Sequence, residues 1–456
     1  MKTNSGITKR VSINDLVLQG TLWSGLMCTC QMDKLAKSAY ENNNTYLYRG
    51  KEPVPPLEMV DDILVISECG QDSVVLNSKV NSFIESKKLK LSSTKCHKMH
   101  IGKMTPNCPT LKVHDKDMES TDKEKYLGDI LVNNGKILKT IEDRQAKGFG
   151  LVTQALAILA EIPLGRYKIQ MGLHLRQAML INGMLFNSEA WHSVNKYHIE
   201  MLEKVDHLFL RQMFNSHSKT SIPFLHLETG TVPITFIVSS RRLNYLHNIL
   251  KRNDTEVLKR VYKTQKESPL DGDFVKLVEN DFTTINENFD ENLIKSLSKA
   301  KMKKYIKQKI HDASFKYLLN EQSSKSKIKN IKYKKFKLQK YMTSNIFSNY
   351  EVEVLSKFRS RNINVKSNFK KQFTFNNIEN LQCSLNNCFE EETQEHLMKC
   401  KPIIDQLDTK NSLKLKTIKY QDTFSTVKKQ KKATEVLIIL LDIRNSLLTN
   451  QQNTNV

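Results

Sequence analysis

Two adjacent aspartates, Asp61 and Asp62, lie in an otherwise apolar stretch, LEMVDDILVIS. Two like charges side by side raise each other's pKa and are poorly tolerated inside a buried strand. A turn between two short strands resolves the conflict, because it places both carboxylates at the tip. The apolar residues that we expect to be buried in those strands are Val60, Ile63, Val65 and Ile66. Mg²⁺ is often held by one or two carboxylates together with substrate phosphates, so the pair predicts a magnesium site. A solvated turn or a helix cap remains the alternative.

A second group with ligand chemistry follows the pattern C-x4-C-x7-H-x3-C and consists of Cys383, Cys388, His396 and Cys400. Thiolate sulfur and imidazole nitrogen are preferred zinc ligands, and four of them can close a tetrahedral site. We expect the first two cysteines on a turn. The spacing of four between His396 and Cys400 predicts one face of a short helix. The alternative is a chance grouping of unrelated side chains.

Basic residues are concentrated in residues 295–340, which we call the lysine tract. The 456-residue chain has a net charge of +23, and the tract holds 16 lysines against Asp312 and Glu321. Lysines contact phosphates without reading base sequence, so the tract predicts non-specific binding of RNA or DNA. The lysines that we expect to make such contacts are Lys303, Lys304, Lys334 and Lys335. The aromatic residues of the tract either stack on unpaired bases or face a core behind a solvated basic surface. An acidic protein partner is a further alternative.

The pattern of apolar residues predicts an α+β protein in five segments. Short strand-like runs and an amphipathic helix with Val80, Phe83, Ile84 and Leu89 fill the first segment,. Helical periodicity then dominates, broken at Pro163-Leu164-Gly165, with a loop expected around Pro223 and Pro233,. The predicted segments are a mixed α/β region over 1–145, a helical region over 146–265, an acidic linker over 266–294, a lysine-rich helical region over 295–375, and a zinc-knuckle-like module with a C-terminal helix over 376–456.

The order of several motifs resembles the palm of reverse transcriptases from non-LTR, LINE-type retrotransposons. Gln19-Gly20 comes first, then the Asp61-Asp62 hairpin, a helix, Lys95, and the pair Leu127-Gly128. The resemblance implies an RNA-directed DNA polymerase in which the aspartates hold Mg²⁺ and Lys95 lies near the incoming nucleotide. It further implies that Gln19 and Gly20 border the template and that Leu127 and Gly128 grip the primer. A helical thumb and a C-terminal Cys/His knuckle would follow.

The same resemblance implies a third metal-binding aspartate on a strand well before the Gln19-Gly20 element, and only 18 residues precede Gln19. We therefore expect a truncated, C-terminal part of such an enzyme with little polymerase activity of its own. A non-catalytic nucleic-acid-binding relic is the alternative. Eight scattered cysteines suggest a reducing compartment, nucleus or cytoplasm,. No apolar run is long enough to predict a membrane span.

Overall fold

The structure, a computed structural model, describes residues 24–40, 47–102, 109–369, 381–386 and 388–454, together with two short strands near the N-terminus. Helices predominate over short strands in these residues, which confirms the predicted α+β class. The chain divides into two compact units. Unit 1 comprises Met1–Ile137 and Ile249–Val275, and unit 2 comprises Leu138–Asn248 and Lys276–Val456.

The strands of the described residues all belong to unit 1 and are short. They are β1 (Lys2–Thr3), β2 (Gly6–Ile7), β3 (Leu47–Tyr48), β4 (Glu52–Pro53), β5 (Leu57–Met59), β6 (Asp62–Leu64), β7 (His97–Lys98), β8 (Lys112–Val113), β9 (Lys116–Asp117), β10 (Glu119–Ser120), β11 (Lys123–Tyr126) and β12 (Asp129–Val132). Each pairs with one other strand: β7 with β10 in parallel, and β1–β2, β3–β4, β5–β6, β8–β9 and β11–β12 in antiparallel pairs.

The helices run from α1 to α17 along the described chain. They are α1 (Ser24–Met32), α2 (Leu35–Tyr40), α3 (Gly70–Ser86), α4 (Leu138–Ala160), α5 (Arg166–Leu175), α6 (Asn182–Met184), α7 (Lys196–Met213), α8 (Ile222–Thr229), α9 (Ile234–Lys251), α10 (Val257–Glu267), α11 (Phe274–Thr284), α12 (Glu291–Ser296), α13 (Lys299–Ser323), α14 (Asn349–Arg359), α15 (Lys401–Ile404), α16 (Thr409–Lys416) and α17 (Val427–Thr454). A π-helical turn, Arg176–Ile181, joins α5 to α6. The 3-10 turns are Lys340–Met342, Lys366–Phe369, His396–Met398 and Tyr420–Phe424.

The predicted aspartate hairpin is formed by β5 and β6, with Met59 opposite Asp62. Val60 has a φ of 61°, a left-handed conformation that β-branched residues rarely adopt,. The thiol of Cys28 donates to the carbonyl of Val60 at 3.2 Å, and Ile63 packs against the buried residues of α1, α2 and α3. These contacts hold the tight turn in place.

Two details predicted for this region are wrong. Val65 and Ile66 lie beyond β6 and are 36% and 46% exposed, because an isolated two-stranded hairpin has no layer to cover both of its faces. The helix that follows begins earlier than expected, at Gly70, and buries Val80, Phe83 and Ile84 as predicted, whereas Leu89 lies outside it and is exposed.

Unit 2 is built on helices whose apolar faces match the predicted periodicity. In α7, Leu202, Val205, Phe209 and Met213 are fully buried. The predicted break at 163–165 separates α4 from α5. Taken singly, none of the helices that the structure describes is long and apolar enough to span a bilayer, and only α8 and α9, bent by 56°, meet that test as a pair.

Two expectations for the helical region and the acidic linker are wrong. Pro223 lies in the first turn of α8 rather than in a loop, a position where its missing N–H costs nothing,. Residues 266–292, expected to be loop-like, contain α11, whose Val278 and Phe282 are buried while Asp281 pairs with Arg242 at 2.8 Å. The acidic composition hides this apolar face, because Asp281 is buried in its ion pair while Glu279 faces solvent,.

The lysine tract is helical only in its first half. Helix α13 ends at Ser323, and residues 324–339 form turns and extended backbone before the 3-10 turn at Lys340–Met342. The predicted helical region over 295–375 is therefore wrong in its central part. The aromatic residues of that part pack around α8 instead of continuing the helix.

A buried ion pair between Arg359, at the end of α14, and Glu228, in α8, organises unit 2. The guanidinium donates to Glu228 Oε1 at 3.1 and 2.5 Å and to the carbonyl of Thr423 at 2.9 Å. Burial by itself lowers the pKa of Arg359, but the Glu228 carboxylate overcomes this and raises the pKa of Arg359 above its usual value. Tyr333 donates to the same oxygen at 2.6 Å, so the lysine tract and α14 both bind the Glu228 carboxylate of α8.

We expect Glu228→Ala to destabilise the protein strongly, because it leaves the Arg359 guanidinium buried without its counterion. A loss of about 3–5 kcal/mol is typical when one partner of a buried pair is removed. Urea unfolding followed by tryptophan fluorescence measures it. Glu142→Ala, in the exposed pair with Lys139, is the control and should cost no more than about 1 kcal/mol. Equal effects of the two substitutions would contradict the role given to Glu228.

Candidate metal centre and basic surface

The first two ligands of the Cys/His cluster lie on a tight turn, as the spacing predicts. The backbone N–H of Cys383 donates to the carbonyl of Glu390 at 2.8 Å, and an antiparallel bridge joins Gln382 to Glu391. Between these chain segments, the N–H of Cys388 donates to the carbonyl of Leu385 at 3.3 Å. The bridge and the turn bring the two thiols back to one side of the loop.

The second two ligands do not share one α-helix, so that prediction is wrong. His396 begins the 3-10 turn His396–Met398, and Cys400 is the N-cap of α15 with extended backbone. Pro402 in the first turn of α15 has no N–H to bond back to the preceding turn, which forces a new helix to start there,. His396 and Cys400 nevertheless meet in space.

The four ligand atoms fit a tetrahedral metal site. They all lie within 4.8 Å of one another. Cys383 Sγ and Cys400 Sγ are 3.9 Å apart, as are Cys400 Sγ and Cys388 Sγ, and Cys388 Sγ is 3.2 Å from His396 Nε2. Zinc–sulfur bonds of about 2.3 Å in a tetrahedron place sulfurs about 3.8 Å apart, whereas a disulfide requires about 2.05 Å. The distances match shared coordination of zinc and exclude a disulfide.

The three thiols of the Cys/His cluster differ in pKa. A hydrogen bond from Cys400 lowers the pKa of Cys383 to about 5. The same bond raises the pKa of Cys400, and burial raises that of Cys388. A metal ion would replace the protons that these thiols hold.

The loop that carries the ligands is fixed to the rest of unit 2 by buried polar groups. Glu392 accepts from Arg444 of α17 at 3.0 and 2.5 Å and from the backbone N–H of Lys366 at 3.2 Å. Gln394 donates to the carbonyl of Phe358 at 2.9 Å. Cys383 and Cys400 also belong to one apolar cluster with residues of α14, α15 and α17. The Cys/His cluster is thus part of the core of unit 2.

The aspartate hairpin presents its carboxylates to solvent, since Asp61 and Asp62 are both exposed. Among the residues that the structure describes, no third His, Cys, Asp or Glu side chain joins them in a group that could hold a metal. Burial, with a further contribution from the charge of Asp62, raises the pKa of nearby Tyr126. The predicted magnesium site is therefore a pair of exposed carboxylates and gains no third ligand from the fold.

The other residues named by the resemblance lie on turns of unit 1 where they are described. Lys95 is exposed in the turn before β7. Leu127 and Gly128, with φ of 46° and 91°, are the two turn residues between β11 and β12. Two positive φ values favour the twist of a tight hairpin, and glycine supplies one of them without strain. Gln19 and Gly20 lie outside the described residues.

The lysine tract separates its cations from its aromatic rings. All its lysines except Lys309 are exposed, including Lys303, Lys304, Lys334 and Lys335. Phe315 and Phe336 stack with ring centroids 5.7 Å apart, and Tyr341 is fully buried. Of the two roles for the aromatics, the structure shows packing in the core, while Tyr317 remains 48% exposed.

A cavity of about 580 Å³ in unit 2 holds polar residues that the sequence analysis did not single out. Its lining includes Arg211, Lys219, His226 and Lys327. These residues belong to segments far apart in the chain, and none forms a recognisable motif, so only their charge could have drawn attention to them.

Comparison with models of known protein families gives no match, and neither does comparison with curated protein sequences.

We expect the purified chain to bind one zinc ion at the Cys/His cluster. Cys388→Ser and His396→Ala should each lower the bound zinc at least about tenfold, because each removes one ligand of four. Elemental analysis after dialysis against a weak chelator measures the stoichiometry. Cys30→Ser, at an exposed cysteine outside the cluster, is the control and should retain the full equivalent. Unchanged zinc in both ligand variants would rule the site out.

Proposed function

We propose that this chain binds RNA or DNA without sequence specificity, through the lysine tract of unit 2. The observation that carries the proposal is the separation within the tract: its lysines other than Lys309 face solvent, and Phe315, Tyr333 and Phe336 anchor the backbone in the core. Lysines held on a fixed surface release counterions from a phosphate backbone, which is the main driving force of non-specific binding. The net charge of +23 supports the same partner class,.

Zinc has a structural role in this proposal. Four protein ligands leave no open coordination position for a substrate, which distinguishes a structural site from a catalytic one. The ligand loop contacts α14 and α17 through Glu392 and Gln394. Arg359, the last residue of α14, reaches the tract through Glu228 and Tyr333. Metal binding would therefore stabilise the support of the basic surface.

A second candidate function is supported by unit 1: a part of a non-LTR retrotransposon reverse transcriptase. Two hairpins support this candidate, one exposing Asp61 and Asp62 and one turning at Leu127-Gly128. In this candidate, the aspartates would hold Mg²⁺ together with nucleotide phosphates, and Lys95 would contact those phosphates. The pair by itself does not make a two-metal site, so we derive no catalytic step from it.

Binding to single-stranded RNA should weaken steeply with salt. Changing Lys303, Lys304, Lys334 and Lys335 to glutamine removes up to four phosphate contacts and should reduce the slope of log affinity against log salt by up to about 3. Fluorescence anisotropy at several salt concentrations measures the slope.

The matched control changes Lys410, Lys414, Lys416 and Lys432 to glutamine, which removes the same charge from exposed positions outside the tract. If both variants lose the same affinity, binding depends on overall charge and the tract is not the binding surface. Affinity that is insensitive to salt in the unaltered chain would argue against phosphate contacts altogether.

Primer extension tests the polymerase candidate. On a primed RNA template with Mg²⁺ and deoxynucleotides, we expect the chain to extend at least about 10³-fold more slowly than a polymerase with a full set of metal ligands. The double substitution Asp61→Ala, Asp62→Ala should abolish any extension. If the double variant extends as fast as the unaltered chain, the aspartate hairpin is not the metal site.

A further inference from the structure

The cavity of about 580 Å³ lies in unit 2 between α7, the start of α8, and the residues that follow α13. Its size is within the range of pockets that hold small ligands. Four cationic residues line it, Arg211, Lys219, Lys325 and Lys327, against two carboxylates, Glu203 and Glu321. The lining therefore has an excess of two positive charges, close to the charge that a phosphate monoester carries at neutral pH.

The cations crowd one another in this cavity. Burial, together with the charges of Arg361 and Lys219, lowers the pKa of Lys327. Burial also lowers the pKa of Arg211. The four cations of the lining outnumber its two carboxylates, so a bound anion would reduce the repulsion among them,.

The start of α8 adds donors on the same wall. Ser221 is the N-cap, but its side chain makes no capping bond, and its Oγ is buried without a hydrogen-bond partner among the described residues. Pro223 has no N–H and the N–H of Leu225 donates to the carbonyl of Ser221, so the N–H of Ile222 is the donor that this helix start offers to an anion,. Ser221 and Ile222 both line the cavity.

A buried histidine is a second, independent observation that points to a ligand. His226 is 1% exposed and lines the cavity, and within the part of the chain that the structure describes its Nε2 has no hydrogen-bond partner. Its Nδ1 lies 3.0 Å from the carbonyl oxygen of Thr231. A carbonyl can only accept, so Nδ1 carries the hydrogen and Nε2 presents a lone pair.

The ring of His226 is also neutral at physiological pH. Burial lowers its pKa to about 3, and burial likewise lowers the pKa of neighbouring His207 to about 4. Nε2 therefore accepts a hydrogen bond and adds no charge. Phosphate alone offers mainly acceptors, whereas a sugar hydroxyl or a base amino group offers the missing donor.

We propose that this cavity binds the phosphate group of a nucleotide, with Lys219, Lys327, Arg211 and the start of α8 around the phosphate and His226 accepting from the nucleoside. The nucleotide is either free or the 5′ end of a strand, since both present the same chemistry. The site shares Lys325 and Lys327 with the lysine tract and goes beyond it through Arg211, Lys219 and His226, whereas Lys303, Lys304, Lys334 and Lys335 do not line the cavity.

Isothermal titration calorimetry on the zinc-loaded full chain tests the proposal with adenosine 5′-monophosphate, inorganic phosphate and adenosine as probes. We expect one equivalent of the monophosphate to bind, and each of the other two to bind at least about tenfold more weakly. Absence of binding by the monophosphate, or equal binding by inorganic phosphate, would overturn the proposal.

Lys219→Gln should weaken binding of the monophosphate about tenfold. This lysine is exposed, so the fold should tolerate the change. Lys329→Gln is the matched control, an exposed lysine of the same region that does not line the cavity. Equal losses in the two variants would show general charge attraction and refute the site. His226→Gln should weaken the monophosphate but not inorganic phosphate, and circular dichroism checks that it folds.

Two octathymidylates, with and without a 5′-phosphate, distinguish the two sources in competition with the monophosphate. Selective competition by the phosphorylated strand assigns the site to strand ends, and competition by neither assigns it to free nucleotides. Equal competition by both strands would place the monophosphate on the general basic surface and overturn the proposal. Long-RNA affinity of Lys219→Gln, measured in parallel, reports separately on the lysine tract.

Discussion

The buried charge of Arg359 is the constraint on which the architecture of unit 2 depends. A guanidinium without solvent needs a counterion and acceptors for its N–H groups, and these come from α8, through Glu228, and from Thr423 before α17. The rings of Tyr341 and Phe424 cover it at 5.3 Å. No one of these segments can move without exposing the charge or leaving it unpaired, so they hold one another in place.

This ion pair connects the two candidate sites of unit 2, the lysine tract and the Cys/His cluster. On one side, Tyr333 and the backbone of Gln339 bond to Glu228, which fixes the non-helical half of the lysine tract against α8. On the other, Phe358, the neighbour of Arg359, packs with Cys383 and Cys400 and accepts from Gln394. The ligand loop and the basic surface therefore share a support.

Unit 1 has a different architecture, since it contains many short hairpins around a small helical core. Its aspartate turn depends on local contacts from Cys28 and Ile63. The two carboxylates of this turn are exposed to solvent. The Cys/His cluster is the opposite case, because its ligands are largely buried and closely spaced before any ion is considered.

The sequence by itself determined the features set by short-range patterns: the hairpin at Asp61-Asp62, the helix break at 163–165 and the cysteine–histidine grouping. These depend on neighbours a few residues apart, so spacing and residue type suffice. Only the tertiary structure determined the features that depend on contacts between residues far apart in the chain. It turned an acidic segment into the packed helix α11, placed the aromatics of the tract inside, split His396 from Cys400 into separate turns, and gathered Arg211, Lys219, His226 and Lys327 around one cavity. Burial and charge pairing across long stretches of chain leave no periodic signature, which is why the sequence did not reveal them.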